Sequence, residues 1–110
     1  MTRYKIGLAY CLCFFVAGIF LPAAHAQTAA QKTYQAKCVA CHAADGSGSD
    51  VGKKLGVHDF HSPDTQKMSD ADLSDVIGKG KNKMPSYAKA LKPEEISDLV
   101  AYIRQLSKKG

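Results

Sequence analysis

The run Cys38-Val39-Ala40-Cys41-His42 sets two thiols three positions apart, with an imidazole directly after the second. This is the attachment signature of a covalently held haem: two thiols can add to the two vinyl groups of one porphyrin, and the adjacent imidazole then lies under the iron. On a helix the three side chains share one end and neighbouring faces. Two other chemistries use similar residues. A thioredoxin-type dithiol needs a preceding strand and a βαβ context, which the Ala-, Lys- and Gln-rich surroundings do not supply. A zinc site needs further ligands, and His58 and His61 could complete one with Cys38, Cys41 and His42, so spacing alone leaves that reading open. The motif favours haem.

The chain of 110 residues begins with the marks of a secretory signal. Arg3 and Lys5 precede an apolar run that ends at Pro22 and the small-x-small site Ala24-His25-Ala26, so cleavage is expected before Gln27. A retained membrane anchor is the alternative, because the apolar run approaches spanning length. The Ala-x-Ala exit favours removal, which would take Cys11 and Cys13 with it. The remainder, residues 27–110, is expected to be a single domain of 84 residues with Cys38 and Cys41 as its only thiols. So small a domain has a marginal core without a staple, and a covalent haem is one. Export agrees with that chemistry, since in bacteria haem is attached to such chains outside the cytoplasmic membrane. The mature chain would hold 13 basic and 10 acidic residues, a net charge of +3 with Arg104 its single arginine. That balance, without an arginine-rich or aromatic-interleaved face, argues against nucleic-acid binding.

Residues 28–42 are rich in Ala, Gln and Lys without Gly or Pro and read as one helix ending at the motif, with Tyr34 on the face of Cys38. Residues 43–62 carry Asp45-Gly46-Ser47-Gly48-Ser49-Asp50 followed by Gly52 and Gly56, which predicts an irregular loop. A loop that long suits the wrapping of a flat cofactor. Ser69-Asp70-Ala71-Asp72 has the form of a capping box before a short helix, whose stripe of Leu73, Val76 and Ile77 stops at Gly78 and Gly80. A second loop over residues 79–90 holds Met84-Pro85. Pro93 with Glu94 and Glu95 opens an amphipathic helix of about four turns, with Ile96, Leu99, Val100, Ile103 and Leu106 on its stripe. The fold class expected is all-α: two terminal helices, one short middle helix and two functional loops.

Together, the motif near the mature N-terminus, Gly52 and Leu55-Gly56 after it, Gly80-Lys81-Asn82-Lys83-Met84-Pro85, and Leu99-Val100-Ala101-Tyr102-Ile103 resemble the small class I c-type cytochromes of the bacterial periplasm. The resemblance spans about residues 28 to 106. It implies the cytochrome c fold, with crossing N- and C-terminal helices and loops around one covalent haem c held by Cys38 and Cys41. It also implies iron ligation by His42 and, through the Met-Pro pair, by Met84. A thioether is a soft, neutral ligand that raises the reduction potential and closes the iron to small molecules. Met68 is the competitor, but lacks a following proline and borders a helix start. His58 and His61 read as loop or surface residues, since bis-histidine ligation would leave Met84-Pro85 unexplained. The family's usual Gly-Pro-x-Leu turn, whose proline carbonyl accepts from the ligating imidazole, is here Gly52-Lys53-Lys54-Leu55, so the partner of His42 is in doubt. Tyr34 and Tyr102 fall where the family packs aromatic residues between its terminal helices, and read as core.

The function implied is a periplasmic, monomeric, non-enzymatic shuttle for single electrons between a protein donor and acceptor, with no membrane anchor after signal cleavage. Lys79, Lys81 and Lys83, with Lys53, Lys54, Lys89 and Lys92 on neighbouring segments, could steer it to acidic patches on those partners. Rival readings are a haem enzyme or a gas or peroxide sensor with a labile sixth ligand, and a subunit of a larger oxidase or dehydrogenase.

Overall fold

In a computed structural model that describes residues 27–110, Thr28 lies in extended backbone and its hydroxyl accepts from the Gln31 N–H at 3.1 Å. That cap starts α1, Ala29–Lys37. The expected signal segment, residues 1–26, lies outside the described residues. The single helix expected over residues 28–42 is broken at Cys38, whose φ of −117° departs from helical geometry, and α2, Val39–His42, follows as one further turn. The break turns Cys38 and Val39 inward against the core. Ala43 ends α2 with φ +62°, a conformation that L residues rarely adopt and that costs on the order of 1–3 kcal/mol. The Tyr34 hydroxyl donates to the Ala43 carbonyl at 2.7 Å and helps hold it there.

The loop expected over residues 43–62 contains a helix, α3, Asp50–Lys54. Ser49 makes it: its hydroxyl accepts from the Gly52 N–H at 3.0 Å and donates to the Ala40 carbonyl at 2.7 Å, joining α3 to α2. The contact is so close that a Cβ on Gly52 would lie 1.9 Å from the Cys41 carbonyl oxygen. The next helix, α4, Pro63–Lys67, is also additional to the expected elements; Ser62 caps it and Pro63 occupies the first turn. Five residues are too few to show a hydrophobic period.

The capping box at Ser69 and Asp72 forms as read, with bonds of 3.0 and 3.1 Å, and starts α5, Asp70–Lys79. The helix passes through Gly78, and it is Gly80, at φ +77°, that ends it. The C-terminal helix α6, Pro93–Ser107, has Pro93 in its first turn and the Lys92 N–H donating to Glu95 at 2.7 Å. Among the described residues the only β-like pairing is a bridge between Lys81 and Met84.

α6 packs against both α1 and α5. Its Ile96, Leu99, Val100, Ile103 and Leu106 meet Tyr34 from α1 and Leu73 and Ile77 from α5, with Phe60 and Leu91 from the loops. Leu99 and Tyr34 are the most enclosed, each 1% exposed, and burial of a side chain the size of Leu99 contributes about 2 kcal/mol. The Tyr34 and Tyr102 rings meet edge-on at 5.3 Å, as expected of the α1–α6 contact.

His61 fastens the loop before α4 to the end of α6. Its Nδ1 lies 2.7 Å from Asp59 Oδ1 and its Nε2 3.2 Å from the Leu106 carbonyl. A carboxylate and a carbonyl only accept, so both bonds form together only when the ring is protonated. The hydrogen bond to Asp59 raises the pKa of His61 above the usual histidine value of 6.5. The same contacts, the His61 backbone N–H first, lower that of Asp59. A raised pKa in the folded state means stabilisation that is complete below the unfolded value and is lost as pH rises through the folded one. Thermal melting of the haem-loaded protein should therefore separate wild type from His61→Gln most at about pH 5.5 and least at about pH 8.5. A gap independent of pH would contradict the protonated form.

Candidate haem site

Cys38 and Cys41 are both free thiols and both partly buried. Helix backbone fixes their spacing: the Cys41 N–H donates to the Cys38 carbonyl at 3.2 Å and the His42 N–H to the same oxygen at 2.9 Å. Burial pushes the Cys38 thiol up to about 11, so it is an uncharged thiol at neutral pH. Burial also lowers the pKa of His42, leaving its imidazole neutral with a lone pair to give. The ring stacks on Phe60, centroids 4.9 Å apart and planes at 27°. Its Nδ1 is buried without a hydrogen-bond partner among the described residues, and the Gly52–Leu55 segment, which left that partner open in the sequence, supplies none.

Met84 is carried on a tight turn. Lys81 and Met84 exchange backbone hydrogen bonds of 3.1 and 2.9 Å, and Asn82 between them has φ +53°. Gly80 precedes the turn where a Cβ would lie 2.7 Å from the Met84 carbonyl. After the turn, the Tyr87 and Ala88 N–H groups donate to the Ile77 and Gly78 carbonyls at 3.1 Å each, fixing the loop to the end of α5. The Tyr87 hydroxyl reaches across to the Lys37 carbonyl, also at 3.1 Å.

A cavity of about 310 Å³ is lined by Cys38, Cys41 and His42 from the attachment motif and by Met84, Pro85 and Tyr87 from the turn and the residues after it. Leu55, Val57, Phe60, Leu73 and Val76 make the rest of its wall largely apolar. A deeper void of about 70 Å³ is lined by His42, Met84 and Cys38 together with Tyr34, Leu99 and Ile103. All four residues singled out in the sequence, Cys38, Cys41, His42 and Met84, thus face one cavity. Met68 lines the outer cavity but not the deeper void, which separates it from Met84. His58 is exposed at the outer cavity, whereas His61 is outside it with both nitrogens engaged.

A haem fits this donor set. Two thiols, a neutral imidazole and a thioether share an apolar pocket, and the described residues hold no group of three or more His, Cys, Asp or Glu placed to bind a metal ion. The zinc alternative finds no support in that arrangement. Where bound, the haem would be held by Cys38 and Cys41 and would bring a one-electron iron couple to the pocket.

Three residues matter more to the site than the sequence suggested. Phe60, the stacking partner of His42, was legible only as a lone aromatic in a polar stretch. Tyr87 and Lys37 line the cavity, and Lys37 joins Lys81 and Lys83 there. The other lysines considered, Lys53, Lys54, Lys79, Lys89 and Lys92, are exposed but outside the cavity wall, and Lys79 is paired with Asp75 at 2.8 Å.

The chain is similar to known proteins in sequence and in fold. Residues 25–103 match the family described as cytochrome c oxidase, cbb3-type, subunit III. Cytochrome c6 of Pyropia tenera is 31% identical over 80 residues, spanning 73% of this chain and 92% of the relative. Cytochrome c6 of Anabaena variabilis is 33% identical over 81 residues, 66% of this chain and 81% of the relative. Among solved structures, the KustC0563 c-type cytochrome aligns with a TM-score of 0.66 at 33% identity, covering 70% of this chain and 95% of that one. The all-helical fold, the haem-attachment motif on its cavity and these relatives lead to one conclusion: the chain belongs to the cytochrome c family and is a small mono-haem c-type cytochrome with covalent haem c and its iron.

Proposed function

We propose that this protein is a periplasmic shuttle for single electrons, exported by a signal over residues 1–26 that is removed before Gln27. Cys38 and Cys41 bond the haem through thioethers and prevent its loss. His42 and Met84 are the two axial ligands. The observation that carries the reading is that His42 and Met84, from separate segments of the chain, line both the cavity and the smaller void. A ligand pair held by an α-helix on one side and a bonded turn on the other keeps its geometry in both oxidation states, which favours fast transfer. Phe60 stacks on His42 and limits rotation of its ring, while the apolar wall excludes water. No helix among the described residues is long and apolar enough to cross a membrane.

No acid or base is required of the chain, and the protein is read as a carrier and not an enzyme. His58, the one further histidine at the cavity, is exposed and lacks the enclosed distal position that acid–base chemistry on a bound peroxide would use. Lys37, Lys81 and Lys83 give the cavity mouth a positive rim that suits docking to acidic surfaces on a redox donor and acceptor.

The ferric protein should show the weak absorbance band near the red edge of the visible spectrum that marks methionine ligation. Met84→Ala should abolish it while leaving covalent haem intact in a pyridine haemochrome assay. A band that survives in Met84→Ala would refute the axial assignment. Electron transfer to an acidic partner protein should slow as ionic strength rises from about 10 to about 150 mM, where the screening length falls from about 30 to about 8 Å. Reversing Lys81 and Lys83 to Glu should remove most of that dependence, and a salt-independent wild-type rate would argue against charge steering.

The matched family's description as an oxidase subunit favours a second reading, in which the domain is docked permanently in a larger oxidase. Gel filtration of native extract separates the two: a shuttle elutes its haem absorbance at the size of the small domain, a subunit with the larger assembly.

A further inference from the structure

We propose that Tyr87 is a positioning residue that straps the methionine turn to the segment bearing the attachment motif and thereby keeps the sixth position of the iron closed. The inference rests on the reading of Met84 as an axial ligand.

The hydrogen bonds that anchor the loop over residues 80–88 to α5 run along one side, while Met84 and Tyr87 pack partly buried against the core. The Tyr87 and Ala88 N–H groups donate to the Ile77 and Gly78 carbonyls, and the Ser86 hydroxyl also donates to Gly78. Every one of these bonds lies after Met84 and ends on α5. The turn itself is closed by the paired bonds of Lys81 and Met84, which tie it to nothing else, and Lys81, Asn82 and Lys83 are exposed. Such a loop is a flap hinged along α5. On the motif segment, the break at Cys38 has left an acceptor waiting: the Cys41 N–H, which a continuous helix would direct to the Lys37 carbonyl, donates to Cys38 instead. The Tyr87 hydroxyl takes that carbonyl at 3.1 Å.

Among the described residues this is the one hydrogen bond between the loop and the α1–α2 segment, and it joins residues 50 positions apart. The Tyr87 ring also lines both the cavity and the deeper void. Ring and hydroxyl therefore have separable roles, the first filling space and the second closing the flap.

The test is a titration of ferric, haem-loaded wild type and Tyr87→Phe with imidazole, which competes with Met84 for the iron and is read from the haem spectrum. Phe keeps the ring and removes the strap. The variant should bind imidazole about three- to tenfold more tightly, the equivalent of one lost hydrogen bond, with its native helix content by circular dichroism unchanged. Equal imidazole affinities in two proteins that both show the methionine band overturn the inference and leave the ligand assignment standing. So does a variant whose melting midpoint falls while its imidazole affinity does not change. A wild type without the band overturns the ligand assignment, and the strap with it.

Discussion

Tyr34 occupies the point where the general fold and the particular chemistry meet. Its ring is enclosed among Phe60, Tyr102 and the stripe of α6, while its hydroxyl leaves that core to hold the Ala43 carbonyl one residue beyond His42. A buried tyrosine hydroxyl must find a partner, and here the partner is a residue at positive φ that would not stay there unaided. Burial pushes the hydroxyl's pKa up, so it is a donor at neutral pH. The packing of α1 on α6 and the direction in which the chain leaves the haem motif are consequently one constraint.

The second constraint is size. The described domain has ten buried hydrophobic side chains, and several of them, including Tyr34, Phe60 and Leu73, also border the cavity or the void beneath it. The core is thus a shell about the cofactor site, and a covalent haem completes it where a larger protein would use more of its own side chains. This explains why so much of the chain between the two terminal helices is short helix and turn. Its task is to present edges and single side chains to a flat group.

What could be read from the sequence was whatever is local. The attachment motif needs five consecutive residues, the capping box at Ser69 needs four, and the stripe of α6 repeats at helical spacing, so each carries its signal within a short window. The proposed ligand Met84 was legible through its neighbour Pro85 and through the resemblance it completed. The break at Cys38, the helices α3 and α4, the stack of Phe60 on His42 and the reach of Tyr87 to Lys37 were not. Each depends on a surface brought from elsewhere: Ser49 shapes α3 by bonding back to α2, and Gly52 matters only because Cys41 presses against it. The two histidines separated for the same reason, since the carbonyl that engages His61 comes from α6 and has no trace in the residues around it.

The bonds from Tyr87 and Ala88 to Ile77 and Gly78 have one more consequence. Those carbonyls belong to the last turn of α5, which has no further helical N–H groups to satisfy them, so the loop after Met84 serves as the C-terminal cap of that helix. The segment that follows Met84 is therefore also the piece that finishes a helix packed directly on α6, so the loop inherits its footing from the core beneath it.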